Sequence, residues 1–445
     1  MKKWAGLLLI CCLLLACTCG LAEDTAPAVA FAAKSGKINC GMDYTVTVKA
    51  AAPVSSDTIV FLQCSALNAT YQAAIPAGQD TGSVTITIPE ESRGQRLDFV
   101  MQSGEGYAPT KEKFALQVYS MPKVIFYSPY MMNHLGKEAA VRVVCQNPNS
   151  VVAGNNTFEL RNLKGEVLDT ITWSNPSKDA SFKFDVTPEL LGKQNLSVWL
   201  NGICVTADEG YLFLSDTSVK RLSTMNPSEP AMSITIDCGS PSIKTPQQTK
   251  DVLAVLEKYG VKATFFMTGS FVETQTESAR MILEAGHEIA NHTATHPRMT
   301  QVDYRTMHRE VMRCTKLIED LLGVSPRLFR PPYGDTNEKV TCLVRAEGME
   351  EVMWTIDSYD WHAEFTQSRI IERVTNEKTL VNGSIILFHI NGLKCAENLD
   401  QVIPYYQNVK GFKCVPVTEL MALSGRELPP MPADREALVY TPSAQ

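Results

Sequence analysis

Between residue 23 and about residue 120, apolar and polar positions alternate in short runs such as "YTVTVKA", "TIVFLQC" and "GSVTITIPE", separated by Gly, Asp and Ser. A period of two puts every second side chain on one face, the pattern of half-buried strands in an antiparallel sandwich. Residues 121 to about 215 continue in the same style with "AAVRVVCQN", "NTFELRN", "SFKFDV" and "LSVWLNG". Two all-β domains of immunoglobulin-like sandwich type are therefore expected, over 23–120 and 121–215. The Ser/Thr/Pro-containing stretch at 216–230 reads as a linker.

From residue 231 the period changes. Strand-like runs "AMSITID" (231–237), "KATFFM" (262–267), "HEIAN" (287–291), "PRLFR" (326–330), "EEVMWTI" (350–356), "SIILFHI" (384–390) and "FKCVPV" (412–417) are separated by amphipathic stretches. In one of these, Val252, Val255, Leu256 and Tyr259 share a helical face that Gly260 ends; in another, Met307, Val311, Cys314, Leu317, Ile318 and Leu321 do. Seven strand–helix alternations predict a parallel α/β fold over 231–425, most economically a (β/α) barrel. The last segment, 426–445, carries four prolines in twenty residues and reads as an extended tail.

Length and charge narrow the function classes. A chain of 445 residues suggests about three domains. A net charge of −7 argues against nucleic acid or an anionic membrane as partner. At the amino end, Lys2 and Lys3 precede an apolar run from Ala5 to Ala16, which suits a signal peptide over 1–22. Two exits fit: a lipoprotein-type box ending at Cys17, which would place a lipid anchor there, and ordinary cleavage before Glu23. Either way the expected location is outside a bacterial cell or in its envelope. Nine of the thirteen cysteines lie beyond this segment. Export makes Cys40–Cys64 and Cys145–Cys204 disulfide candidates, with buried thiols as the alternative.

In a parallel barrel, reactive groups gather at the carboxyl ends of the strands. The first strand ends at Asp237–Cys238, the third runs into "HTATH", the fourth into "RPPYG", the fifth into "DSYDW", and the sixth closes on "LFH". His292 and His296, at i and i+4, would face the same way on a helical turn, close enough to hold one metal; a surface pair is the competing reading. His287, at the start of its strand, reads as structural.

These five motifs, in this order and spacing, together with "KATFFMTG" and "GHEIANHT", resemble the polysaccharide deacetylase family (the NodB-homology domain of carbohydrate esterase family four). The resemblance covers roughly residues 230–425. It implies a distorted (β/α) barrel that removes acetyl groups from N-acetylated sugars of peptidoglycan, chitin or related polymers with a divalent metal. By resemblance, His292 and His296 hold the metal, and Asp237 is the general base, paired with Arg330. His389 protonates the leaving nitrogen, with Asp360 raising its pKa. The backbone amide of Tyr333 is an oxyanion donor, and Trp361 and Leu387 wall the acetyl pocket, plain core packing being a close alternative for Leu387. One position departs from the pattern: the family carries a second acid, the third metal ligand, where this chain has Cys238. A thiolate there would complete a His₂Cys zinc site. Alternatively the thiol is a bystander to a two-histidine site, or the domain binds glycan without turnover. Because every other motif position is intact, an active zinc N-deacetylase is the favoured reading, with peptidoglycan as the leading substrate. A glycan-binding pseudoenzyme and an O-acetyl esterase on xylan are the alternatives. Every proposed catalytic residue follows Asn226, so a chain starting there is expected to fold and act alone.

Overall fold

The computed structural model describes residues 26–110, 112–152, 156–173, 175–216, 222–239, 246–432 and 435. The expected signal segment with Cys17 and twelve of the twenty residues of the expected tail lie outside them. The chain divides into two units, one of Met1–Pro122 with Asn147–Gly154, the other of Lys123–Gln146 with Asn155–Gln445.

In the first unit, nine strands between Ala28 and Tyr119 form one continuous sheet rather than two. It is antiparallel except where Ser35–Asn39 lies beside Lys113–Tyr119 and Ala28–Phe31 beside Ala108–Pro109. The alternation seen in the sequence holds: in Thr58–Cys64, Val60, Leu62 and Cys64 turn inward onto Phe99 and Phe114. Cys40 and Cys64 are separate buried thiols of that core.

The second unit begins with a β-module of two sheets. One joins Val124–Phe126, Glu138–Cys145 and Ala180–Asp185. The other runs Tyr130–His134, Gly210–Ser215, Gly192–Leu200, Thr157–Arg161, Val167–Thr172, with Ile203–Cys204 paired to Gly192–Leu200. Cys145 and Cys204 are not joined; Cys204 is exposed, beside Thr206.

The rest is an all-parallel barrel sheet in the order Glu350–Glu351, Leu328–Phe329, Glu288–Asn291, Thr264–Met267, Ala231–Cys238, Ile385–His389, Ile356–Asp357, with Lys413–Cys414 beside the start of Ala231–Cys238. Around it run α1 (Gln247–Lys258), α2 (Gly269–Thr274), α3 (Thr276–Glu284), α4 (Tyr304–Leu322), α5 (Glu338–Ala346), α6 (Gln367–Val374), α7 (Cys395–Pro404) and α8 (Val417–Leu423). Helix α4 starts where the Asp303 carboxylate accepts the Thr306 N–H and stops at Gly323, whose φ of 72° suits glycine.

Two expectations change. The single strand predicted over 350–356 is two short strands at opposite ends of the sheet. Between them, the Val352 and Met353 carbonyls accept from Arg330 instead of from a neighbouring strand. Part of the expected linker also belongs to the barrel. Leu222 bridges to Val352 and Thr224 to Ser384, with Leu222 and Met225 buried, so these residues span the gap that the split strand leaves.

A third expectation, a self-sufficient barrel after Asn226, also meets a difficulty. Phe213 is fully buried in one apolar cluster with Met307 and Val311 of α4 and Val340 and Leu343 of α5. Tyr130, Met132 and Tyr211 pack against the same cluster. The β-module and the barrel share this core.

Candidate active site

Strand alternation decides which side chains reach the barrel mouth. Along Ala231–Cys238, the side chains of Ser233, Thr235 and Asp237 point one way and those of Ile234, Ile236 and Cys238 the other. Asp237 lines a cavity of about 440 Å³, together with His292, His296, Tyr333, Trp361, Leu387 and His389. Of the ten residues expected to build the site, seven therefore line this cavity, and Arg330 and Asp360 stand directly behind two of them.

Arg330 is fully buried. Its Nη1 donates to Asp237 Oδ1 at 2.7 Å and to Thr235 Oγ1 at 2.9 Å, and its remaining nitrogens reach the two strand-gap carbonyls. Its guanidinium carbon sits 3.9 Å from the centre of the Phe266 ring. Burial pushes the Asp237 pKa up, but the Arg330 charge, helped by His292 and His389, outweighs it and leaves it below the ordinary value. Asp237 is held ionised and oriented.

On the adjacent strand, His389 stands in register with Asp237. Its Nδ1 pairs with Asp360 Oδ1 at 2.8 Å, and its backbone N–H donates to Asp360 Oδ2 at 2.9 Å. Burial lowers the His389 pKa, yet the Asp360 hydrogen bond and charge, with Asp237 and Asp357 beyond, outweigh it and raise it overall.

The histidine pair arrives by a different route from the one expected. "HTATH" is not a helical turn. Thr293 and His296 adopt φ of 67° and 66°, conformations that non-glycine residues seldom take. The loop is tied down instead. Asn291 Oδ1 accepts the Thr293 N–H, while its Nδ2 donates to Val311 O and Thr315 Oγ1 on α4. The Glu310 carboxylate, also on α4, accepts from the Thr295 N–H and hydroxyl. The outcome is two imidazoles with ring centres 4.9 Å apart. Glu310 and Asn291 escaped sequence reasoning because nothing but the fold brings α4 beneath this loop. His287 is structural as expected, its Nδ1 accepting the Ala263 N–H and its pKa pushed by burial down to about 4.

Tyr333 sits at φ 60° at the lip, its ring 4.7 Å from that of His296. Tyr333 and Trp361 are 60% and 53% exposed and offer flat apolar faces to a ligand, whereas Leu387 is buried. The cavity also takes in Arg298, Trp354, Asp357 and Asn391, which sequence reasoning missed. Asp357 opens the "DSYDW" motif, so its place there was a signal available in the sequence.

Cys238 is the predicted site residue that the structure does not bring to the cavity. It is fully buried with Ile234, Ile236, Phe388 and Cys395 on the helix-facing side of its strand. Apolar burial pushes its thiol well above the ordinary value, which opposes the thiolate that a metal ligand must be.

A profile of the polysaccharide deacetylase family matches residues 224–352. A peptidoglycan-N-acetylglucosamine deacetylase of Bacillus cereus is 31% identical over 198 residues, which are 43% of this chain and 89% of that one. The chain belongs to the polysaccharide deacetylase family. It is also 34% identical, over 38% of its length and 52% of the relative's, to the uncharacterized protein YlxY of Bacillus subtilis. Among solved structures, it is 27% identical to a pseudoenzyme of carbohydrate esterase family four from Bacillus anthracis, covering 48% of this chain and 75% of that one with a TM-score of 0.43. This deacetylase-family chain spans between 38% and 52% of the length of the first curated relatives it matches.

Deacetylases of this family generally use a divalent metal. Ligands must be unprotonated and converge on one point. The two histidines meet the first condition, because burial lowers the pKa of His292 and brings that of His296 down to about 4. With its Nδ1 2.7 Å from the Arg330 carbonyl, His292 turns Nε2 toward Asp237 Oδ2, 3.5 Å away. No group of three His, Cys, Asp or Glu side chains suited to a metal occurs among the described residues. Two unprotonated imidazoles are thus available as donors, while Cys238, buried in the apolar cluster, does not complete the expected His₂Cys zinc site.

Proposed function

We propose that this chain hydrolyses N-acetyl groups of a cell-wall polysaccharide, peptidoglycan before chitin-type polymers, as an exported protein. One observation carries the reading: Asp237 and His389, in register on adjacent strands and each backed by a charge partner, Arg330 and Asp360, open on one cavity of the size of a small-ligand site. Amide hydrolysis needs a base for water and an acid for the departing amine. Asp237, ionised beside Arg330, takes the water proton. His389, charged beside Asp360, gives its Nε2 proton to the sugar nitrogen. Leu387 and Trp354 close around the acetyl methyl, while Trp361 and Tyr333 stack on the sugar rings. His292 and His296 would hold a divalent metal, zinc by preference for imidazole donors, and that ion would supply Lewis-acid polarisation of the acetyl carbonyl. In this reading the first β-unit is a spacer and the β-module a support that shares the barrel's core, and the Lys2–Lys3 pair with the apolar run after it supports export.

The position of Cys238 favours a second reading, a glycan-binding domain without turnover, because the third metal ligand is not supplied. Acetate release from peptidoglycan, chitin oligosaccharides and acetylated xylan, with and without added zinc, separates the two. Hydrolysis predicts zinc-stimulated acetate from the N-acetylated polymers. Retention on those polymers with no acetate under any condition would sink the enzymatic reading.

A further inference from the structure

A second cavity, of about 650 Å³, lies between α4 and the β-module strands that carry Tyr130 and Tyr211. None of its residues lines the site described above. Along its helical wall, Arg305, Arg309 and Arg313 recur every four residues, followed by Lys316 three residues on, and all four are exposed. Four residues advance a helix by about 6 Å, so these cations form a ladder roughly 16 Å long. Like charges at that spacing work against a helix, so the stripe is not there to support α4. Lys316 is paired with Asp320 at 2.9 Å, and Arg313 has Glu273 at 3.9 Å. Among the described residues, no carboxylate comes within 4 Å of Arg305 or Arg309. The other wall is aromatic. The Tyr130 and Tyr211 rings are 5.3 Å apart, and the His308 ring lies 5.7 and 5.5 Å from them. His308 is held by the buried Glu347 carboxylate at 2.8 Å, so this wall is fixed. Two acids also line the cavity: Glu209, which accepts from the Tyr211 hydroxyl, and Asp320.

We infer that this cleft binds an acidic polysaccharide, a sugar or polyol chain bearing repeated oxyanions. Guanidinium forks match phosphate and carboxylate groups, and the aromatic wall suits the apolar faces of sugar rings. The chain as a whole carries a net charge of −7. The positive stripe is thus local, on an otherwise acidic molecule.

The test measures binding of fluorescent poly(glycerol phosphate) and polygalacturonate to the full chain, with neutral dextran and a deoxythymidine oligonucleotide as comparisons. At least one acidic polymer should bind well above dextran and weaken as salt rises. The double variant Arg305→Gln/Arg309→Gln should lose about tenfold in affinity with an unchanged melting temperature, since both side chains are exposed. Which polymer binds tells phosphate from carboxylate. Binding no better than dextran, or equal binding by the double variant, overturns the proposal. An oligonucleotide bound as tightly as the polymers overturns the polysaccharide assignment.

Discussion

Asp237 is a carboxylate almost wholly removed from water, and only Arg330 and its neighbours keep it charged. Asp237→Asn should lower kcat by about 10²–10⁴-fold, the usual worth of a general base, while zinc retention stays near that of the parent. Acetate release at parental rates would show that another group is the base. The acid has its own signature. In the proposed reaction His389 donates while protonated, so activity should fall as pH rises through its raised pKa, and Asp360 is the main reason for the raising. Asp360→Asn should move the alkaline limb of the pH–rate profile to lower pH; an unmoved limb would detach His389 from that limb. Cys238 supplies the contrary case. With its thiol turned into the helix layer, Cys238→Ala should retain zinc within about threefold of the parent, whereas His292→Ala should lose it by orders of magnitude. Equal losses in both variants would restore the thiol as a ligand.

At the scale of elements, two local arrangements set the site. The "HTATH" loop holds two residues at positive φ because α4 lends it the Glu310 carboxylate and anchors Asn291. Glu310→Ala removes the acceptor for two donors of Thr295 and should cost about 1–3 kcal/mol of stability for the groups left unsatisfied. Metal retention should fall with it, although Glu310 touches no ligand. The turn after Ile385–His389 is equally exacting. A Cβ added at Gly392 would come 2.0 Å from Asp360 Oδ2. Gly392→Ala should therefore displace Asp360 from His389 and reproduce the Asp360→Asn pH profile, with a lower melting temperature besides. A normal profile in that variant would show that the turn can yield.

The whole second unit behaves as one body in its contacts. Phe213 of the β-module is buried against α4 and α5, and Cys342 of α5 donates to the Phe213 carbonyl at 3.4 Å. Lys193 of the module lies 3.4 Å from the buried Glu347 of the barrel. A chain starting near Asn226 exposes this surface and leaves Glu347 without that cation. It should be poorly soluble, or melt well below a chain starting at Lys123. Phe213→Ala in the full chain should cost about 3–5 kcal/mol, as for other buried aromatics. Equal melting temperatures for the two truncated chains would show that the shared core carries little stability.

The sequence by itself determined the change of period at residue 231, the parallel strand–helix alternation apart from the strand at 350–356, and the identity of seven of the residues lining the mouth. Those follow from local rules: a period of two or 3.6, caps and glycines at element ends, and the gathering of reactive groups at strand carboxyl ends. Tertiary structure alone decided the rest. Asp237 and Cys238 are neighbours in sequence, yet their strand is covered on both faces, by the barrel interior and by helices, so adjacent residues met opposite environments. The strand at 350–356 broke because the buried Arg330 took its carbonyls. Leu222–Met225 joined the barrel because that break left a gap to span. The β-module became part of the barrel's core because α4 and α5 carry more apolar surface than the barrel itself covers, a surplus that helical periodicity shows only as a buried face and never as a buried partner.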